Sequence, residues 1–348
     1  MTDVKAGVVA TAHYLPPDVM TSAEIAEAAD LPLWVVEEKL GIQQKHIATA
    51  DTHPNEMAAI AGRECVEKAG IDPAEIDVLL CTTEEWKEYN LWTAGIDLAY
   101  EIGAVNAWGM DMHMRCATTV AAMKLAKSLM AADDDINTVM IAGGYVVSRF
   151  IDFTNMRTSF LFNIGAGAGA MLIKRDWPEN RVLGSHLMSD GSMARHVIVP
   201  SSGTVKHPTD QAVADGEFYF DLVEPEAMKN RLNEVSMDNW MHCIDEALRK
   251  SGSKADGSPY TRDDVSYLDM LLVKPSAHRD MLERLGLTED RSSYLGSIGH
   301  IGEQDTVISI DEGLRTGALR EGDVIAAVGA GIGYVWAAGI LHWGPAED

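Results

Sequence analysis

Short, almost continuous apolar runs recur along this chain, and segments with helical periodicity separate them. Four of these runs read EIDVLLCTT, NTVMIAGGYVV, YLDMLLVK and DVIAAVGAGIGYVWAAGILHW. Strands that are buried on both faces have this composition, because helices cover both sides of the sheet that they form. The pattern therefore predicts an α/β fold with several layers.

The order of strands and helices is similar in the first and second halves of the chain, which indicates an internal duplication. We place the boundary so that residues 1–178 form one half and residues 179–348 the other. Residues 200–228 lack a clear period and predict a long loop with a short strand or hairpin. Long loops in compact domains often cover a site or a dimer seam.

Charge and hydropathy exclude several classes of function. The 348 residues include 53 acidic and 28 basic side chains, for a formal charge of −25. Nucleic acids and anionic membranes bind clustered lysine and arginine, so we expect neither as a partner. An acidic carrier protein would need a local basic patch. No apolar stretch approaches 18 residues and the first residues lack the features of a signal peptide, so we expect a cytoplasmic protein.

Four cysteines are present, and their spacing matches neither a metal site nor a disulfide framework. Three of them fit the interior of predicted strands or helices. The fourth, Cys116, stands where the run TTVAAMKLAKSLMAA begins a helix. Free N–H groups at a helix start stabilise a thiolate, and Arg115 adds positive potential if its side chain points that way. From spacing alone, a nucleophile and a buried structural thiol are equally good interpretations.

A nucleophilic cysteine needs a proton acceptor and a group that orients it. Among the eleven histidines, His300 lies in the tight loop GSIGHIGEQDT, five residues before Asp305. This carboxylate can fold back onto an imidazole nitrogen and fix its tautomer. The other interpretation is an exposed loop histidine, with Asp305 capping the following helix. His278, in VKPSAHRDM, is a second candidate.

Taken together, these segments resemble the type III β-ketoacyl-acyl-carrier-protein synthases of the thiolase superfamily. The resemblance rests on WVVEEKLGIQQKHIA, GMDMHMRCATTVAAMKLA and GHIGEQDTVISIDEGLRTGALREGDVIAAVGAGIGYVWAA, which have the order and spacing of that family. It implies a five-layered αβαβα fold of two duplicated halves, a homodimer, and acyl loading onto Cys116.

Further site residues follow from the same resemblance. Trp34 and Lys39 fall where the family places residues near the CoA adenine. Gly329, Ala330 and Gly331 fall on its glycine-rich loop, which implies that a backbone N–H of this loop joins that of Cys116 in an oxyanion hole.

The chain departs from the condensing enzymes at the residues that hold an enolate. The usual histidine is missing from the stretch Lys274, Pro275, Ser276, and His300 takes the position of the usual asparagine. His278 either enters the cavity from the next helical turn, or is a helix-start residue outside it. A cysteine, a histidine at this position and an aspartate five residues later resemble an acyltransferase branch of the family, which transfers a preformed acyl group without loss of CO2.

We therefore predict an acyltransferase in which acyl-CoA loads Cys116 and His300, oriented by Asp305, activates a hydroxyl, amine or carrier-thiol acceptor. Acyl-CoA is a substrate, and neither a cofactor nor a metal is expected. The alternatives are a carbon–carbon bond-forming synthase, of the type III or HMG-CoA-synthase kind, and a non-catalytic subunit of a complex. A carrier protein or partner subunit is left open. Trp86, Trp92 and Phe160 are candidates for residues that narrow the acyl pocket, and packing in the core is an equally good interpretation of them.

Overall fold

The computed structural model describes residues 4–84 and 86–345. In the first half the strands are β1 (Ala6–Tyr14), β2 (Val19–Thr21), β3 (Gln44–His46), β4 (Val78–Cys81), β5 (Trp108–Asp111), β6 (Thr138–Tyr145) and β7 (Gly167–Arg175). In the second half they are β8 (Glu179–Ser189), β9 (Val197–Ile198), β10 (Asp221–Leu222), β11 (Val265–Met270), β12 (Val324–Gly331) and β13 (Val335–Pro345).

The α-helices alternate with these strands. They are α1 (Ser22–Ala28), α2 (Pro54–Ala69), α3 (Ala94–Ile102), α4 (Thr118–Ala132), α5 (Asp210–Ala214), α6 (Pro225–Arg249), α7 (Pro275–Arg284) and α8 (Asp305–Thr316). A π-helix covers Val35–Leu40, and short 3-10 turns at Arg115–Ala117 and Gly302–Gln304 lead directly into α4 and α8. Within the described ranges, no helix is both long and apolar enough to cross a membrane.

The two halves build their sheets with the same strand order. The first sheet runs β5-β4-β6-β7-β1 and the second runs β11-β12-β13-β8. In the first, β1 is antiparallel to β7, β7 is antiparallel to β6, and β6 is parallel to β4. In the second, β8, β13, β12 and β11 repeat these directions. The sheets join where Gly7 of β1 pairs with Arg181 of β8.

Helices cover both faces of each sheet and divide the molecule into five layers. Helices α4 and α8 lie between the sheets in one apolar core, which includes Val120 and Ile310. On the outside, α2 and α3 pack against the first sheet and α6 and α7 against the second. The predicted αβαβα fold of two duplicated halves is confirmed. The exact boundary between residues 178 and 179 stays a prediction; β7 ends at Arg175 and β8 begins at Glu179.

Each inner helix begins against a glycine of the other half. A Cβ at Gly329 of β12 would lie 2.9 Å from the Cys116 carbonyl oxygen, just before α4. A Cβ at Gly169 of β7 would lie 2.8 Å from Gln304 Oε1, just before α8. At Gly329 the clash would be with the backbone, so a residue without a side chain is needed there, and this glycine sets how closely the start of α4 approaches β12. At Gly169 the nearest atom is the end of the Gln304 side chain, which can move, and Val307 Cβ would lie at 3.1 Å.

The stretch predicted as a long loop is more regular than its sequence indicates. It contains α5 and the β10 strand that pairs with β9, and α6 begins at Pro225 rather than near residue 235. Proline fits the first turn of a helix, where its missing N–H is not needed. Most residues of the first turns of α6 are exposed, so the sequence shows no apolar period there.

Lys45 of β3 is buried, and its side chain connects this short strand to the loop before β7 by hydrogen bonds. Its Nζ donates hydrogen bonds to the carbonyl oxygens of Phe162 (2.8 Å) and Ile164 (2.9 Å), and it lies 4.9 Å from the ring centroid of Phe153. Burial lowers the pKa of Lys45 to about 7. The loop that it holds also contacts the backbone of His300.

The depressed pKa of Lys45 makes stability depend on pH. In the unfolded chain a lysine titrates near pH ~10.4, so between about pH 7 and that value the unfolded state binds more protons. In this range we expect the contribution of Lys45 to the free energy of unfolding to increase as the pH rises, by at most about 1.4 kcal/mol per pH unit. Urea denaturation at pH 7 and pH 9 should show a smaller rise for Lys45→Met than for the unmodified protein; equal rises would contradict the assignment.

Candidate active site

Cys116 lies in the 3-10 turn that leads into α4, and its side chain is buried. Arg115 before it has a left-handed backbone with φ of 52°. The Thr118 side chain braces this turn, because its hydroxyl donates to the Arg115 carbonyl (2.6 Å) and accepts from the Met114 N–H (2.8 Å). The Arg115 guanidinium contacts the Glu84 carboxylate at 3.2 Å. The sulfur is therefore held at a helix start, as the sequence predicts.

The structure brings Cys116, His300 and Asp305 together in one hydrogen-bonded series. His300 Nε2 lies 3.1 Å from Cys116 Sγ, and His300 Nδ1 lies 2.6 Å from Asp305 Oδ2. His300 is 6% exposed and Asp305 1%, so the alternative of an exposed loop histidine is wrong. One imidazole nitrogen thus faces the sulfur while a carboxylate holds the other, the arrangement that a cysteine nucleophile and its base require.

Backbone amides fix the Asp305 carboxylate in place. Its Oδ1 accepts from the Ile301 N–H (2.7 Å), and its Oδ2 accepts from the Leu272 N–H (2.8 Å). Asp305 is the first residue of α8, and both donors lie outside that helix. The carboxylate therefore ties the end of the β11 segment to the His300 loop, and it does not serve as a simple helix cap.

The charges of this series favour a protonated imidazole. Burial alone lowers the pKa of His300, but the charges of Asp305 and Cys116, with hydrogen bonds to both, raise it, and the net pKa lies well above its usual value. In this state His300 donates from Nδ1 to Asp305 and from Nε2 to a Cys116 thiolate. The geometry can therefore hold an imidazolium and a thiolate as a buried ion pair.

A cavity of about 450 Å³ opens onto Cys116 and His300. Its inner wall is mostly apolar and includes Leu161, Trp240 and Trp336. Of the residues expected to narrow an acyl pocket, Phe160 lines this cavity. Trp86 instead packs on Phe150 and Phe218, and Trp92 on Tyr89, so these two expectations are wrong.

The glycine-rich segment reaches the cavity through different residues than expected. Ala330 and Ile332 line the cavity, whereas Gly331 lies against Met114 and Arg115 at the back of the Cys116 turn. Ala330 thus contributes to the wall of the cavity, whereas Gly331 does not. That a backbone N–H of this segment joins that of Cys116 in an oxyanion hole stays a prediction.

His278 does not reach the cysteine. It is buried on α7 with its ring centroid 5.1 Å from that of Tyr294, and it lines a separate small cavity. Ser276 and Ala277 of the same helix line the large cavity, so the helical turn directs His278 elsewhere. Burial and then the charge of Arg279 lower the pKa of His278 to about 4. Its placement in the substrate site is wrong.

Trp34 and Lys39 lie on the surface. Lys39 Nζ is 5.9 Å from the Trp34 ring, and Trp34 is 51% exposed. Leu40, next to Lys39, lines the cavity. An aromatic ring and a cation therefore lie close in sequence to a residue of the cavity wall, and their role in binding CoA stays a prediction.

Two cavity residues escaped the sequence analysis. Tyr145 is the last residue of β6, and its ring centroid lies 6.3 Å from that of His300. Asn163 accepts the His300 N–H at its backbone oxygen (2.8 Å). A position at the carboxyl end of a central strand is the only signal that the sequence carries for Tyr145.

Comparisons with known proteins match both parts of this site. The family 3-oxoacyl-[acyl-carrier-protein] synthase III matches residues 110–191, and the C-terminal part of the same family matches residues 256–343. The β-ketoacyl-[acyl-carrier-protein] synthase III of Thermosynechococcus vestitus is 25% identical over 334 residues, 94% of this chain and 95% of that protein. The one from Caldanaerobacter subterraneus is 24% identical over 345 residues, 98% of each chain.

Solved structures share the fold. The 3-oxoacyl-[acyl-carrier-protein] synthase III of Aquifex aeolicus superposes with a TM-score of 0.79 at 20% identity, covering 97% of this chain and all of that one. Xanthomonas campestris OleA, solved as a cysteine-to-serine variant with bound lauric acid and lauroyl-CoA, superposes with a TM-score of 0.78 at 16% identity, covering 97% of this chain and 99% of that one. The likeness therefore extends over nearly the whole chain.

Asp305→Asn tests the charge arrangement of the site. Because the Asp305 charge raises the pKa of His300, its removal should weaken the imidazolium and with it the thiolate. We expect alkylation of Cys116 by iodoacetamide at pH 7 to slow by about tenfold or more, which corresponds to one pKa unit or more. The rate of alkylation is followed by intact mass across the pH range. Its increase with pH should occur at a higher pH in this variant than in the unmodified protein. Superimposable pH profiles would contradict the assigned charges.

Proposed function

We propose that this chain, which belongs to the thiolase superfamily as a type III β-ketoacyl-acyl-carrier-protein synthase-like protein, transfers acyl groups without decarboxylation. Acyl-CoA loads Cys116, and a hydroxyl, amine or carrier thiol then takes the acyl group. The observation that carries the proposal is the hydrogen-bonded series from Cys116 Sγ through His300 to Asp305. This series supplies a nucleophile and an oriented base, and the reaction requires no cofactor.

In the first half-reaction the Cys116 thiolate attacks the thioester carbonyl of acyl-CoA. The oxygen becomes negative in the tetrahedral intermediate, and backbone N–H groups near Cys116 and Ala330 stabilise it. The carbon–sulfur bond to CoA then breaks, and His300 gives its Nε2 proton to the departing CoA sulfur. Cys116 is left as a neutral thioester and His300 as a neutral imidazole.

The second half-reaction uses the same imidazole as a base. Acylation removes the Cys116 charge, which is one of the two charges that raise the pKa of His300. Asp305 still holds Nδ1–H, so Nε2 accepts the proton of the acceptor as its oxygen, nitrogen or sulfur attacks the acyl carbon. The carbon–sulfur bond breaks, and the thiolate and imidazolium re-form.

The residues at the positions that hold the enolate in the condensing enzymes favour simple transfer over condensation. Lys274, where those enzymes have a histidine, is an exposed residue that lines the cavity, and His278 lies outside the cavity. The relatives carry the name of a condensing enzyme, so carbon–carbon bond formation is the alternative to be tested.

The donor enters past Trp34 and Lys39 in this proposal. Lys39 lies near the Trp34 face, and together they provide a stacking surface and a positive charge for the adenine nucleotide of CoA. The apolar cavity behind them then receives the acyl chain.

A homodimer is the second part of the proposal. Strand β5 ends the first sheet, and one edge of it has no neighbouring strand among the described residues. Trp108 and Met110 of this strand and Ile96 and Tyr100 of α3 are exposed. An edge strand with exposed apolar side chains favours pairing with another chain. A second copy of this chain would pair with the free strand edge and also cover the apolar side chains.

His300→Ala separates loading from transfer. We expect Cys116 to acquire an acyl adduct from acyl-CoA at a reduced rate, because the thiol itself remains. Transfer should fall by about 100-fold or more, since the acceptor loses its base. Intact mass spectrometry follows both steps. His278→Ala is the matched control and should behave as the unmodified protein; an unchanged transfer rate in His300→Ala would remove His300 from the mechanism.

Release of carbon dioxide distinguishes simple transfer from decarboxylative condensation. With acyl-CoA and radiolabelled malonyl-CoA, the protein should release no more CO2 than its Cys116→Ala variant. Release of CO2 in step with the formation of a longer acyl product would establish condensation and refute the proposal.

The dimer is tested by light scattering coupled to gel filtration. We expect the unmodified protein to elute with twice the mass of one chain, and Trp108→Lys to shift it toward the monomer, because a charge at the edge strand loses hydration when buried. Leu314→Lys, at an exposed apolar residue of α8, is the control and should leave the mass unchanged. A monomeric unmodified protein would contradict this part of the proposal.

A further inference from the structure

Tyr145 is a buried polar side chain for which the proposed mechanism has no role. It is 4% exposed and lines the same cavity as Cys116 and His300. Its ring packs over Gly302, whose φ of 60° leaves space for it, two residues after His300. The tyrosine is therefore fixed beside the loop that carries the base.

The hydroxyl of Tyr145 is available to a ligand. No residue in the described part of the chain forms a hydrogen bond with it, and its oxygen is not among the fully enclosed unpaired atoms. The Tyr145 oxygen therefore keeps some contact with the cavity, where a bound molecule can reach it and take up its hydrogen bond. The hydroxyl of the second tyrosine of the cavity, Tyr334, instead contacts Met228 Sδ at 3.5 Å.

The surroundings of Tyr145 keep its hydroxyl protonated. Burial, and then the charges of Cys116, Glu84 and Glu303, raise its pKa well above the usual value. A phenol that stays neutral offers one O–H donor and can also accept. Proton transfer therefore remains with His300, and Tyr145 can only hold or orient a group.

We infer that Tyr145 holds the acceptor: its hydroxyl hydrogen-bonds to the attacking oxygen or nitrogen while His300 Nε2 takes the proton. The inference rests on the proposed acyl transfer and deepens it. The position of Tyr145 beside His300 favours the acceptor side of the reaction, because the acceptor must lie within hydrogen-bond reach of Nε2. Tyr145 gives up no proton, and the bonds made and broken are those of the second half-reaction.

The two half-reactions can be measured separately in Tyr145→Phe, which keeps the ring that packs on Gly302. Acyl-enzyme is prepared with the straight-chain acyl-CoA that loads the unmodified protein most completely, and free CoA is removed. Loss of the Cys116 adduct is then followed by intact mass in buffer alone and with ethanolamine, so that water and an amino alcohol are the acceptors. Tyr219→Phe, which removes the hydroxyl of an exposed tyrosine that does not line the cavity, is the control.

We expect Tyr145→Phe to load within about threefold of the unmodified protein and to lose its adduct about tenfold more slowly, as for the loss of one hydrogen bond. Tyr219→Phe should match the unmodified protein in both steps. Adduct loss at the unmodified rate in Tyr145→Phe would overturn the inference, and so would an equal slowing of both steps. If the unmodified protein forms no adduct or never loses it, the proposed function itself fails.

Discussion

The start of each inner helix approaches a glycine of the other half closely, and the position of the nucleophile and its base depends on this approach. Gly329 admits the turn that begins α4, and Gly169 admits the turn that begins α8. The two helix starts then touch, because the Thr119 hydroxyl donates to the Glu303 carbonyl at 2.7 Å. Cys116 and His300, 184 positions apart in the chain, meet at this point. A Cβ at Gly329 would meet the backbone of Cys116 and Ala117, so β12 could not approach the nucleophile turn this closely.

Burial at this meeting point accounts for the electrostatics of the site. A carboxylate inside a protein is costly unless it is hydrogen-bonded, and Asp305 accepts from two backbone amides and lies 2.6 Å from an imidazole nitrogen. Its charge raises the pKa of His300, whose Nε2 lies 3.1 Å from Cys116 Sγ. In the proposed mechanism, acylation removes the charge of the cysteine alone, so His300 can serve as an acid in the first step and as a base in the second.

The sequence predicted the layers and the three central residues, but it could not fix which way individual side chains face. Apolar runs and their order indicated two duplicated halves. A cysteine at a helix start predicted a nucleophile, and the histidine and aspartate of a later loop were candidates for its base and the group that orients the base. His278 was misplaced because a shift of one or two residues along a helix moves a side chain to another face. Tyr145 could not be predicted as a site residue, because it is a single polar residue at the end of an apolar strand. Only the folded structure shows that it lies beside His300.

The protonation state of His300 tests the central claim most directly. Nitrogen-15 NMR of histidine-labelled protein, with His300 assigned by comparison with His300→Ala, reports whether one or both ring nitrogens carry a proton. We predict an imidazolium in the free enzyme at pH 7 and a neutral ring, protonated at Nδ1, once Cys116 is acylated. A neutral His300 in the free enzyme, or a ring whose state does not change on acylation, would contradict the account.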